Sequence, residues 1–366
     1  MFSVLTNRAF CLIIYGENTF TDINDKEIFM PKVYPELTTH PCIKKRSEPI
    51  VTAKDLPYPA SLVFNAGVIK YNGEYVMVFR DDYGTDQHGY ETGTGHFVGT
   101  CVGIARSKNG VDGWVFDPTP LMDSTDPDND PELNRLYDPR IIMINNKLYL
   151  CLAMDTKHGI CGAIAELSDD LKSYKIISTT VPDNRNMVLF PELINGEFVR
   201  LERPMPVYGR GRDRFDIWLS RSPDLVYWGN SRLVIGVEHA PWANDKIGPA
   251  AAPIKTEKGW LTLFHAVDRD DTRGKNGWDG FWPKRYTAGI MLLDLDDPSK
   301  VVSVYKKPLI APDTPIETDE GYRQNVIFPC GMLLEDSGEV KIYYGASDTC
   351  VCLATADVND LLKLLE

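Results

Sequence analysis

Apolar and polar residues alternate with a period of two along most of the chain, and five times the alternation breaks in the same way. "GVIKYNGEYVMVFRDD", "RIIMINNKLYLCLAMD", "ELINGEFVRLERP", "PIKTEKGWLTLFHAVD" and "MLLEDSGEVKIYYGASD" each run apolar, turn on Asn, Gly, Asp or Lys-Gly residues, and resume as an apolar run, usually rich in aromatics. Asn and Gly accept positive φ, and flanks of period two are strands, so each segment predicts a β-hairpin. A second pattern follows most of the hairpins: a strand, a Ser/Asp turn, then Trp or Tyr, as in "ARSKNGVDGWVFDP", "AELSDDLKSYKII" and "WLSRSPDLVYWGNS". Two hairpins make about four strands per unit, and five units spaced roughly 50 to 79 residues apart predict an all-β fold, a five-bladed β-propeller. A pair of β-sandwiches is the structural alternative. The only helical signal is a short one at "DVNDLLKLLE".

The uneven spacing is explained by long inter-blade loops. "DYGTDQHGYETGTGHFVG" and "DRDDTRGKNGWDGFWPKRY" are rich in Gly and polar residues, as functional loops are. Residues 51–366 are read as one propeller domain. Residues 1–50 lie outside the repeats and are read as an N-terminal extension, serving as packing, an oligomer arm or a closing strand. Its apolar stretch "AFCLIIYG" is too short to span a bilayer, and acidic residues rather than a small-residue cleavage site follow it; it reads as packing.

In a propeller the innermost strand of each blade starts near the central axis, so the leading residues of all five converge. The residues ahead of the hairpins are polar: Asn65, then Asp138 and Arg140 in "YDPR", Arg185 and Asn186, Lys246, and Asn325 with Phe328. The far ends of the second strands are polar too, at Arg80 and Asp81, Asp155, Glu202 and Arg203, His265 and Asp268, and Asp348. Taken singly these residues have ordinary readings: a turn closed by an Asp138–Arg140 ion pair, a solvated Arg203, a loop lysine, a half-buried histidine. Their recurrence at equivalent positions predicts one lined funnel. Asn, Asp and aromatic groups suit a sugar. Arg185, Arg203 and Lys246 form a cationic cluster suited to phosphate.

Charge sharpens this reading. A net charge of −13 argues against nucleic acid and anionic membranes as partners, so an anion site here has to be a local pocket. The eight cysteines show no zinc or redox spacing, which predicts reduced thiols and a cytoplasmic setting.

The motifs "FNAGVIKYNGEYVMVFR", "YDPRI", "NRNMVLFPELINGEFVRLERP", "KIGPAAAPIKTEKGWLTLFHAVD", "YTAGIMLLDLDDPSKV" and "IYYGASDT" together resemble the mannoside phosphorylases of glycoside hydrolase family 130, over about residues 50 to 365. The resemblance implies a five-bladed propeller and an inverting phosphorolysis. Inorganic phosphate, a co-substrate, attacks a β-mannoside to give α-mannose 1-phosphate and a shortened sugar. Because phosphate is already an anionic nucleophile, one carboxyl group suffices where inverting glycosidases need two. The resemblance assigns Asp138 as general acid, delivering its proton through the mannose 3-hydroxyl. It assigns Arg185, Asn186, Arg203, Lys246, His265 and Tyr286 to phosphate, and Asn65, Arg80, Asp81, Asp348 and Phe328 to the mannosyl ring. It implies no cofactor and no metal, and suggests a homo-oligomer. Acceptor contacts are expected from the loops at 83–99 and 268–285, where Trp278, Phe281 and Trp282 could stack on a second sugar. Leu193 in "PELI", where relatives often carry Lys, and Glu202, where some carry His, blur the subgroup, so β-1,2 and β-1,4 linkages both stay open. A mannoside hydrolase on the same scaffold and a non-catalytic carbohydrate-binding propeller are the rival readings.

Overall fold

The structure is a computed structural model that describes residues 37–205 and 215–366, so most of the predicted extension, residues 1–36, lies outside the described residues. The strands form five antiparallel sheets of four or five strands each, the blades of a β-propeller. The first strand, β1 (Lys44–Lys45), belongs to the last sheet. Blade one contains β2 (Leu62–Tyr71), β3 (Glu74–Tyr83) and β4 (Gly99–Ser107), with β5 (Val115–Phe116) and β6 (Met122–Asp123) sharing the outer edge of β4. Blade two runs β7 (Leu133–Ile144), β8 (Lys147–Thr156), β9 (Gly159–Leu167) and β10 (Tyr174–Thr179). Blade three runs β11 (Asn184–Leu189), β12 (Phe198–Pro204), β13 (Ile217–Ser222) and β14 (Gly229–Ile235). In blade four β15 (Lys246–Pro249) and β16 (Ile254–Thr256) share one inner edge, followed by β17 (Gly259–Arg269), β18 (Lys284–Leu293) and β19 (Val301–Val304). Blade five consists of β20 (Ile327–Leu334), β21 (Glu339–Ala346), β22 (Cys350–Asp357) and then β1, paired Lys44 to Thr355 and Lys45 to Ala354.

The turn residues act as their chemistry demands. Asn72–Gly73, Asn145–Asn146 and Asn195–Gly196 all have positive φ at both central positions, the geometry that matches a hairpin to the right-handed strand twist. In the Ser/Asp turns of the second hairpins, the side chains of Asn109, Asp170 and Asp224 accept backbone N–H groups two or three residues on. Helices are short: α1 (Gln87–Thr92) in the blade-one loop, α2 (Pro315–Thr318) ahead of blade five, and α3 (Val358–Lys363) where "DVNDLLKLLE" predicted one.

The core is a ring rather than a centre. Each of five apolar clusters fills the space between two neighbouring blades, such as Val78, Ile104, Ile141 and Leu150 between blades one and two. Leu201, Phe264 and Met291 do the same between blades three and four, and Val63, Met77, Tyr343 and Leu353 close the ring between blades five and one. Inner strands approach closely: a Cβ on Gly67 would lie 2.9 Å from both the Ile141 nitrogen and the Pro139 oxygen.

That contact is backbone against backbone and cannot yield, so Gly67→Ala should lower the calorimetric melting temperature by several degrees, as over-packing of roughly 1–3 kcal/mol does. Gly229→Ala, which would meet nothing within 4 Å, should leave it nearly unchanged. Equal effects from the two would show that the inner-strand contact is unimportant.

Candidate active site

Three inner strands carry the same irregularity at their mouths. The ladder slips between Phe64 and Gly67, between Tyr137 and Arg140, and between Arg185 and Val188, so that two residues face one. The first residue of each pair is left-handed: Asn65 at φ 51°, Asp138 at φ 55° and Asn186 at φ 57°. Asn and Asp are the non-glycine residues that tolerate this conformation best. A bulge of this kind re-aims a side chain, and all three residues line one cavity. Pro139 occupies the second place in its bulge, a position where a strand tolerates proline. Arg140 forms no carboxylate ion pair with Asp138, contrary to the simplest reading of "YDPR". It is buried, donating from Nε to the Ala250 carbonyl at 2.6 Å and from Nη1 to the Asp138 backbone carbonyl at 2.9 Å, which ties blade two to blade four.

Asp138 stands on one flank of the cavity. Its Oδ1 accepts from Asn65 Nδ2 at 2.8 Å and from Arg80 Nη1 at 3.4 Å. Arg80 is fixed by two bonds to Asp82, at 2.7 and 2.8 Å, and lies over the rings of Phe64 and Tyr137. Gly345 leaves room for this arrangement, since a Cβ there would fall 2.2 Å from Asn65 Oδ1. Asp348, on a left-handed turn at φ 50°, lies 3.6 Å from Arg323; burial raises its carboxyl pKa, against the pull of Arg323 and Arg80.

The opposite flank is cationic. Arg185 Nη1 lies 3.4 Å from the Tyr137 hydroxyl and feels the Asp138 charge. Arg203 is fully buried, with Nη1 3.2 Å from His265 Nε2, while its Nε and Nη2 have no hydrogen-bond partner among the described residues. Burial first, and then Arg185, push the Arg203 pKa down to about 9. Lys246 is pushed well below an ordinary lysine by burial and by Arg203, Lys284 and Arg185. His265 is driven well below the usual histidine value by burial and the neighbouring cations, so it is neutral. It packs on Phe328, with ring centroids 4.8 Å apart, and stacks on Tyr286. Gly248 makes the approach possible: a Cβ there would meet His265 Cε1 at 2.4 Å and Arg203 Cδ at 3.0 Å.

Of the residues singled out in the sequence, Asp138, Arg185, Asn186, Arg203, His265, Tyr286, Asn65, Arg80, Asp348 and Phe328 line this one cavity. Lys246 stands beside its wall, with Nζ 5.4 Å from the Tyr286 ring centroid. Asp81 is a correction. With a strand period of two, Asp81 points away from the face of Arg80, which lines the cavity; it is fully buried and neither carboxylate oxygen has a partner among the described residues. Tyr137 and Arg323 also line the cavity and were not predicted as part of it; Trp282, expected from its loop to stack on a second sugar, lines it too. Trp282 stacks parallel on Tyr286 under the Arg323 guanidinium, and Trp278 packs against Tyr90 and Tyr322. Phe281 is exposed. No group of His, Cys, Asp and Glu among the described residues is arranged to hold a metal ion.

A five-bladed propeller whose axial cavity sets one buried carboxylate against a nest of buried cations is built for a neutral polar ligand together with an anion. Residues 40–366 match the model of glycoside hydrolase family 130, described as β-1,4-mannooligosaccharide phosphorylase, and the chain belongs to that family. It is 33% identical over 330 residues to a β-1,4-mannooligosaccharide phosphorylase of Ruminococcus albus, covering 87% of this chain and 89% of the relative. It is 32% identical over 321 residues to a β-1,2-mannobiose phosphorylase of Thermoanaerobacter sp., covering 85% and 95%. Among solved structures, the β-1,2-mannobiose phosphorylase of Listeria innocua in complex with β-1,2-mannobiose superposes with a TM-score of 0.72 at 24% identity, over 88% of this chain and 99% of the other.

The inward turn of Asp81 has a measurable sign. Burial, then Asp82 and Asp123, raise its pKa to about 8, so the folded state keeps a proton there that the unfolded chain releases near pH 4. Stability contributed by that proton is complete below about pH 4 and is lost as pH rises towards 8. Asp81→Asn should therefore raise the melting temperature at pH 8 by a few degrees, with a smaller effect at pH 5 and little change in substrate KM. A large rise in mannoside KM without a change in melting temperature would restore Asp81 to the ligand.

Proposed function

We propose that this chain catalyses the inverting phosphorolysis of short β-mannosides of the mannobiose type. The observation that carries the reading is Arg203, a buried guanidinium whose Nε and Nη2 have no hydrogen-bond partner among the described residues, beside buried Lys246 and half-buried Arg185, in a protein of net charge −13. Buried charge without a counter-charge is costly, and a bound dianion removes that cost. Water as nucleophile would give the nest no purpose, which favours phosphorolysis over the hydrolase reading.

The reaction follows from the two flanks. A phosphate oxygen held by Arg185, Arg203 and Lys246 forms a bond to the anomeric carbon as the bond from that carbon to the leaving oxygen breaks. The Asp138 carboxyl supplies the proton that the leaving oxygen takes up, relayed by the mannose 3-hydroxyl, and α-mannose 1-phosphate and the shortened sugar result. Asn65 orients the Asp138 carboxyl, and Arg80, held by Asp82, completes the mannosyl side with Asp348 and Phe328. Neutral His265 serves as a hydrogen-bonding wall and adds no repulsion among the cations. Fixed donors in a largely buried site stabilise the transferring anion without reorganisation. The free state of the seven described cysteines supports a cytoplasmic setting, and family resemblance supports a homo-oligomer. Relatives named for both β-1,2 and β-1,4 linkages keep the mannosidic bond itself open within this class.

Incubating mannobiose isomers with and without phosphate tests the reading: release of mannose 1-phosphate only when phosphate is present is expected, and sugar release indifferent to phosphate would refute it. Asp138→Asn should lower kcat by a factor on the order of 10²–10⁴, the usual range for losing a general acid. Lys246→Met should raise the phosphate KM about tenfold or more while changing the mannoside KM far less; equal changes would dissolve the nest as a phosphate site.

The pH dependence has a definite direction. Because the Lys246 pKa is depressed, its charge is lost at lower pH than that of an exposed lysine. The wild-type phosphate KM should therefore climb as pH rises on the alkaline side, and Lys246→Met should flatten that climb. A steady-state series at fixed ionic strength checks it; identical slopes for the two proteins would count against it.

A further inference from the structure

Blade five closes the ring with the two residues of β1 and, after them, with backbone bonds from Arg46 and Ile50 to Leu353 and Val351. A further tether is a side chain. Lys45 Nζ, almost fully buried, lies 2.7 Å from Glu317 Oε2, 2.5 Å from Asp313 Oδ1 and 2.7 Å from the Ala311 carbonyl. Glu317 sits in α2 and is completely buried. Its Oε2 also accepts the N–H groups of Asp313 and Thr314, and its Oε1 accepts the Tyr344 hydroxyl at 2.9 Å. Each oxygen is thus occupied, and the lysine supplies the only cation among the described residues.

The backbone of that glutamate holds the cavity wall. The Glu317 carbonyl accepts the Asn325 N–H at 2.7 Å and, together with the Ile316 carbonyl, the Ser347 hydroxyl. Ser347 N–H in turn donates to Val326, and its carbonyl accepts the Arg323 N–H. Ser347 and Asp348 are both left-handed, at φ 51° and 50°, a turn that needs outside support because neither residue is glycine. Tyr286 N–H donates to the Asn325 carbonyl. Two lining side chains, Arg323 and Asp348, therefore hang from one frame whose anchor is Glu317, while Tyr286 is held by the β17–β18 ladder and only meets that frame at Asn325.

We infer that Lys45 and Glu317 are positioning residues: the closing strand, through this buried pair, sets the blade-five wall of the cavity and with it the hold on the sugar. The inference rests on the proposed phosphorolysis for its kinetic consequence but not for its structural one. Removing Lys45 leaves a buried carboxylate without its cation, so α2 must shift or take up water. The wall that moves carries Asp348 and Arg323, whereas Arg203 and Lys246 belong to blades three and four and keep their supports.

Lys45→Met is the direct test, read by hydrogen exchange and by kinetics. Exchange should quicken at least tenfold at the amides of Arg323, Asn325 and Ser347 and stay unchanged in Asn184–Leu189 and Lys246–Pro249. The mannoside KM should rise about tenfold with the phosphate KM within about twofold, because a misplacement remote from the chemistry acts on the ligand it positions. Lys45→Arg, which keeps the charge, should recover most of both. If Lys45→Met does not fold, Tyr344→Phe, which removes one donor to Glu317, should show the same split at smaller size. Protection lost evenly across all five blades, or both KM values raised alike, would reduce the pair to general stability and overturn the inference. Wild-type enzyme without phosphate-dependent turnover would sink the functional reading while leaving the exchange result to decide this one.

Discussion

A strand that lines the hub of a closed ring of sheets sends its side chains alternately into the two neighbouring inter-blade spaces, so regular alternation aims none of them along the axis. In this chain those spaces are filled by the five apolar clusters, and the inner strands supply members to the clusters on both sides: Ile141 packs towards blade one and Ile142 towards blade three. Breaking the alternation is one way for an inner strand to aim a polar residue at the axial cavity. Left-handed bulges break it at Asn65, Asp138 and Asn186, at equivalent places in three blades. Everything else on the carboxylate flank is arranged around that exception. Gly67 and Gly345 leave room for it, Pro139 fits into it, and Arg140 fastens it by donating to the carbonyl of Asp138 itself.

The cationic flank is built on the reverse principle, since here local stability is given up. Arg203 and Lys246 are buried with Arg185 close by; burial and Arg185 lower the readiness of both to hold a proton, and Arg203 lowers that of Lys246 further. A core selected only for stability would replace such a group with apolar residues at no loss. Set beside a glycine that admits His265 to contact distance, such a group suits the anion site proposed above. Functional sites are where proteins accept such costs.

Most of the architecture was legible because hairpins announce themselves locally: Asn-Gly turns between alternating flanks fix both strand and turn. The site was legible only where blade equivalence applied, which is why Asn65, Asp138, Asn186 and Arg203 were found. Asp81 was misjudged by one position, and a one-residue step in a strand reverses the face. Arg140 could not be read correctly, because its partner, the Ala250 carbonyl, lies two blades away and no local pattern marks a backbone acceptor. Arg323 and Trp282 come from loops outside the repeat, so equivalence said nothing about them. The fifth blade's outer strand was anticipated only as one possible use of residues 1–50, because two residues, "KK", carry no period.

The long insertions of blades one and four explain how a ring with five similar spokes can hold an asymmetric ligand. Equivalent residues around an axis make a pocket whose walls resemble one another, whereas a glycosidic bond has two different sides. The blade-one insertion brings Tyr90 and Phe97, and the blade-four insertion brings Trp278; all three pack against Tyr322, next to Arg323. Lys275 bonds to Glu91 across the two insertions at 2.9 Å. Blades one and four are not neighbours in the ring, so the contact exists only because both loops are long. Arg323, clamped over Trp282 and Tyr322 and paired with Asp348, then stands where this one-sided aromatic wall meets the axial cavity. The propeller supplies the bulged strands that aim the reacting groups, and the insertions supply the inequality that lets them act on one end of a sugar chain.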